Sequence, residues 1–158
     1  APRAERSSRY VSCGVGVDGL GLEEREMSCD YAVWHTKERL SAEQAGELHQ
    51  RLCEGDTSGV VAHPGIARFH AELTALHPEL DNCPEDKLED KEFCPWSAAF
   101  DRSEGHVIVC CVWSRADAVG ELVQRLAAKH GLAFYDPQSE RISYPGDTVR
   151  AKPWWKFW

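Results

Sequence analysis

Three groups of residues in this 158-residue chain are of types that could do chemistry: seven histidines, seven cysteines, and the carboxylate and amide of Asp136 and Gln138. His63, His70 and His77 recur every seven residues. On a helix, two turns separate such side chains by roughly 10 Å at the α-carbon, too far for ordinary co-ligation of one metal ion. Cys83 and Cys94 flank an acidic stretch and, with His106 or a histidine of the 63–77 series, supply zinc-ligand types. A structural zinc site, however, usually shows two close-spaced ligand pairs, and this chain has no C-x-x-C. A Cys–His nucleophile pair needs a thiolate beside a base, and none of the cysteines sits in a recognisable local signature. The expectation is therefore no catalytic residue, no metal and no cofactor. Asp136 and Gln138, at the end of a strand, are where open sheets often place functional groups, so they form the alternative site, that of a small enzyme or ligand-binding domain. The competing reading of Asp136-Pro137-Gln138 is a turn in which Asp136 accepts backbone amides.

Binding chemistry is more legible than catalysis. Residues 79–92 hold seven acidic side chains and two lysines around Pro84. Such a run is usually a solvated loop with almost nothing to bury, but acidic loops are also how inhibitors engage basic enzymes. Glu85, Asp86, Glu89 and Asp90 are its candidate contacts. The C-terminal Lys152-Pro153-Trp154-Trp155-Lys156-Phe157-Trp158 adds Trp154, Trp155 and Trp158, a residue type enriched at interface hot spots.

Composition narrows the partner. With 26 acidic against 18 basic residues and a net charge of −8, a phosphate-tracking nucleic-acid binder is disfavoured and a basic protein partner is favoured. Cys110 and Cys111 are adjacent in an apolar run, where neighbouring side chains point to opposite faces, and the cysteine count is odd. Both suit reduced thiols. No apolar stretch approaches the roughly 20 residues of a membrane span, and residues 1–26 lack the apolar core of a secretory signal, so the expected location is cytoplasmic.

The elements that must position these groups follow from periodicity. Tyr31 to Trp34 reads as a first strand, with Tyr31 and Val33 on one face and Ala32 and Trp34 on the other. Ser41 and Gln44 form a capping box for a helix to about Cys53, with Ala42, Ala45, Leu48 and Leu52 as its stripe. Pro64 opens a second helix bearing Ile66, Phe69, Leu73 and Leu76. Ala98 to Asp101 reads as a short strand. His106 to Trp113 is apolar at nearly every position and reads as a core strand covered on both faces. Ser114 to Asp117 supply an N-cap and first-turn acid for a third helix with Val119, Leu122, Val123 and Leu126 buried, and Gly131 closes it. Leu132 to Asp136 is then a strand running parallel to the core strand.

The order β-α-α-β-β-α-β predicts an α+β sandwich, a mixed sheet of about four strands with three helices. Residues 1–26 read as a disordered extension, 27–145 as one domain with Met27 as a natural start, and 146–158 as an aromatic tail. The segment Met27-Ser28-Cys29-Asp30-Tyr31-Ala32-Val33-Trp34, together with Pro95-Trp96, Val112-Trp113-Ser114, His130-Gly131-Leu132 and Tyr135-Asp136-Pro137-Gln138, resembles a group of small bacterial proteins over about residues 27–143. Some members of such groups resemble immunity proteins of polymorphic toxin systems. The resemblance implies a cytoplasmic inhibitor that occludes a toxin domain, and it carries over no catalytic residues.

Overall fold

The computed structural model describes residues 28–147. The expectations for Met27, residues 1–26, Trp154, Trp155 and Trp158 lie outside the described residues. Alternating apolar side chains build β1 (Ser28–Trp34), β3 (His106–Val112) and β4 (Ala133–Asp136), with two short edge strands, β2 (Asp101–Arg102) and β5 (Arg141–Ser143). The sheet order is β2-β3-β1-β4-β5, and every neighbouring pair is antiparallel.

The α+β class holds, and the sheet corrects three expectations. It has five strands, because the chain turns after Asp136 and returns as β5. It is antiparallel throughout, not mixed: β3 and β4 do run in the same direction, but β1 lies between them and pairs with both. This is the split β-α-β arrangement. The strand expected at Ala98 to Asp101 is instead an isolated bridge of Trp96 to Cys111 followed by the two-residue β2. Short edges offer little unpaired backbone to another sheet.

Helices cover both faces. Helix α1 (Ala42–Cys53) starts with the expected capping box, in which Ser41 accepts from the Gln44 amide while Gln44 accepts from the Ser41 amide. It packs Ala45, Leu48 and Leu52 on Ala32, Trp34, Ile108, Ala133 and Tyr135. Ala42 is exposed, and His49 takes the place it was expected to hold in the buried stripe. On the opposite face α2 (Pro64–Leu76) and α3 (Ala116–Lys129) bury Ile66, Phe69, Leu73, Val119, Val123 and Leu126 against Tyr31, Val33, Val107, Val109 and Phe134. Fully burying side chains of this size contributes about 1.5–3 kcal/mol each.

Helix starts are set by different devices. His63 caps α2, its Nδ1 accepting from the Gly65 amide at 2.9 Å. Gly65 must be glycine, since a Cβ there would overlap the His130 carbonyl at the end of α3. Ser114 does not cap α3: Trp113–Arg115 forms a 3-10 turn, and the cap position, Arg115, makes no side-chain bond. Gly131, at φ +76°, ends the helix as expected.

The acidic run is folded. It contains two 3-10 turns, Leu80–Asn82 and Glu85–Lys87, and Leu80, Cys83, Leu88 and Phe93 pack against the α2/α3 core. The sequence expectation of almost nothing to bury in residues 79–92 is corrected by Leu80, Cys83 and Leu88, three widely spaced residues, and Phe93 follows them inward just after the run. Periodic patterning cannot reveal them, because the backbone that brings them inward has no period.

Candidate functional site

Asp136 and Gln138 come together, and their polar groups are used internally. The Gln138 amide bridges to the backbone of Asp30, its Nε2 donating to the carbonyl at 3.0 Å and its Oε1 accepting from the amide at 3.2 Å. Asp136 Oδ1 accepts from both the backbone and side-chain nitrogens of Gln138, and Oδ2 from Ser139 Oγ. The pair acts as a clasp that ties the β4–β5 turn to the start of β1.

The three histidines of the 63–77 series do three separate structural jobs. His63 caps α2 and lies 4.4 Å, ring to ring, from His35. His70 Nε2 meets Glu79 Oε2 at 2.9 Å. His77 Nδ1 faces the Phe93 carbonyl at 3.0 Å, while its own carbonyl accepts from Trp96 Nε1. Among the described residues no three His, Cys, Asp or Glu side chains are placed to hold a metal ion. Cys94 is buried in the α2/α3 core with Cys83 packed against it. His106 lies on the other side of the sheet, because it alternates with Val107, so the three do not converge.

Two constellations missed by sequence reading bring nucleophile and base types together. On α1, His49 Nε2 is 3.7 Å from Cys53 Sγ. At the β2–β3 hairpin, Ser103 Oγ is 2.6 Å from His106 Nδ1, and His106 Nε2 is 3.6 Å from Asp101 Oδ1. Neither is poised for catalysis. Burial and the nearby Asp30 and Asp101 push the Cys53 thiol up to about 12, and burial with Asp30 pushes Cys110 to about 12, so both stay protonated at neutral pH. Burial, with His106 as a second cause, lowers His49 to about 4, leaving it neutral. His106 is 1% exposed and cannot reach a substrate. Ser103 Oγ also accepts from the Gly105 amide, which makes it a turn-closing group. The i, i+4 spacing of His49 and Cys53 was the one available signal for the first pair.

The exposed features gather at one pole. The Val112 amide donates to the Pro95 carbonyl and the Ser97 amide to the Cys110 carbonyl, which lays the end of the acidic run beside the end of β3. The contact from His77 to Phe93 brings the C-terminal end of α2 to the same pole. Glu85, Asp86, Glu89 and Asp90 are all exposed and, among the described residues, take part in no ion pair. The loop is braced from within: Lys87 Nζ sits 5.0 Å over the Phe93 ring, Lys91 Nζ donates to the Leu88 carbonyl, and the Asp90 carbonyl accepts from the amides of Phe93 and Cys94. Trp113, expected inside the core strand, is 47% exposed on the 3-10 turn, and Leu76, expected in the buried stripe of α2, is 51% exposed. Two of the three large apolar side chains exposed among the described residues thus lie at the acidic pole.

No family model, no curated protein and no solved structure matches the chain. Among the described residues no helix is long and apolar enough to cross a membrane.

Proposed function

We propose that this chain is a cytoplasmic protein-binding module of immunity type, which inhibits a basic bacterial toxin domain by covering its active site. One observation carries the reading: the acidic run is a folded, internally braced platform with Glu85, Asp86, Glu89 and Asp90 exposed, next to the exposed apolar side chains of Trp113 and Leu76. A loop already ordered loses less entropy on docking than a floppy one. The carboxylates steer a basic partner and set the association rate, while a tryptophan anchor slows dissociation. Inhibition is steric and electrostatic and requires no reaction at this chain. Trp154, Trp155 and Trp158 belong to the proposed binding set.

The test begins with tagged protein in its native host, identification of what it retains, and kinetics with the purified partner. The expected partner is a stoichiometric basic protein. Reversing Glu85, Asp86, Glu89 and Asp90 to lysine should slow association by about tenfold or more at low salt, and Trp113→Ala should speed dissociation. An association rate indifferent to the four reversals would remove the loop from the interface. A bait that retains no stoichiometric protein would end the protein-binding reading.

A further inference from the structure

Two cysteines bound the acidic run. Cys83 follows its first 3-10 turn, its amide donating to the Leu80 carbonyl, and Cys94 stands just past its last acid, its amide donating to the Asp90 carbonyl. Their side chains meet at the α2/α3 core, Cys94 as a member and Cys83 packed against it, and the two thiols hydrogen-bond each other. We propose that Cys83 and Cys94 form a reversible disulfide by exchange with a small cationic disulfide, closing the acidic run into a covalent ring with Glu85, Asp86, Glu89 and Asp90 between its ends.

Contact and access single this pair out among the described cysteines. Cys29 and Cys111 stand opposite each other across β1 and β3, but at 2% and 0% exposure neither meets an oxidant. Cys53 Sγ contacts His49 and Cys110 Sγ contacts Ser97 Oγ at 3.1 Å, and both thiols are held up at about 12, so little thiolate forms at either. Cys83 is half-buried and is the entry point, while the fully buried Cys94 is the resolving thiol. Burial and the Cys94 hydrogen bond raise the Cys83 thiol and Asp86 adds to them, whereas Lys91 draws it back, so exchange quickens as pH rises. The frame is stiff: a proline follows each cysteine and favours extended backbone before it, and Cys83 has φ −75° and ψ 132°. The Val112 amide ties Pro95 to β3. Closure therefore joins two points that the fold already holds in contact, and the surrounding acids attract a cationic reagent.

The exchange runs in two steps. Cys83 loses its proton to solvent, and its thiolate attacks one sulfur of the reagent, whose S–S bond breaks and releases one thiolate. Cys94, deprotonated in turn, attacks the Cys83 sulfur of the mixed disulfide and expels the second. The protein gives up two electrons and two protons, and the reagent is reduced to two thiols. The disulfide stands whether or not the run binds a protein; only its effect on partner association rests on the protein-binding reading.

The test incubates the folded, reduced full chain with cystamine at mildly alkaline pH, quenches with excess N-ethylmaleimide in urea, and maps the peptides by mass spectrometry. The expected result is loss of both free thiols at Cys83 and Cys94, a direct link between them that carries neither cysteamine nor maleimide, and recovery of both thiols with dithiothreitol. Cys94→Ser removes the resolving thiol and should stop the sequence with cysteamine held on Cys83. A wild-type chain that keeps cysteamine on Cys83, leaves both thiols free, or links either cysteine elsewhere would overturn the proposal. So would a link that forms only when urea is present during the incubation, or a Cys83 left unmodified in Cys94→Ser.

Discussion

His49 shows how a single position sets a property of the fold. Its imidazole sits on the buried face of α1, ring to ring 5.6 Å from Tyr135, and is held neutral by burial and by His106. The folded value of about 4 lies below the ordinary 6.5, so the unfolded chain binds the extra proton between these two values. Stability is therefore fully present above pH 6.5, falls as pH drops toward 4, and flattens below it, by up to about 3 kcal/mol for the whole shift. His63 acts in the same direction, since burial, His35 and Arg68 lower its value, and protonating Nδ1 removes the α2 cap. Asp56, Glu72 and Asp147, whose hydrogen-bonded carboxyls are held below the usual range, act only at lower pH, where they protonate. Urea denaturation of wild type and His49→Gln at pH 7.5 and pH 4.5 checks the assignment. Wild type should lose markedly more stability over that interval than the variant, and equal losses would show that His49 is not the group responsible. The sequence did not mark this histidine as buried, because one polar residue on a helix looks like part of its wet face until a partner surface is known.

At the scale of elements, the close approach of α2 and α3 depends on Gly65. With no Cβ, the first turn of α2 sits against the last carbonyls of α3, a contact further tied by Glu72, which pairs with both Lys129 and His130 at 2.9 Å. Gly65→Ala should cost about 1–3 kcal/mol through overpacking, although alanine favours a helix interior elsewhere. A Tm equal to wild type would show that the helices can part without loss. The helices themselves were readable: Ser41 with Gln44, Pro64 and Gly131 each mark a helix boundary where the structure has one. What periodicity overstated was burial at the ends, where Ala42 and Leu76 point past the partner surface into solvent. It also gave no warning that the residues of the acidic run would fold, since Leu80 and Leu88 owe their burial to the underside of a core formed by other elements.

For the molecule as a whole, β1 carries both cores. Cys29, Tyr31 and Val33 enter the α2/α3 side, while Ala32 and Trp34 enter the α1 side, so one central strand couples two layers that are far apart in sequence. Because the five described strands and both described cores lie within residues 28–147, a fragment of those residues should unfold in one transition with a Tm close to that of the full chain, by calorimetry. A large drop, or two transitions, would show that residues outside this span contribute to stability.

The sequence by itself determined the class of fold, the three helices with most of their boundaries, and the inward and outward faces of β1, because these depend on local spacing of apolar and capping residues. It also placed the acidic run on the surface, since four close carboxylates have no way to be buried together. Only the tertiary structure decided that β1 inserts between β3 and β4, that Asp136 and Gln138 form an internal clasp, and that Trp113 and Leu76 stand exposed beside the acids. Each of these depends on which distant segment comes to lie alongside, and pairing between segments about a hundred residues apart leaves no period in the chain.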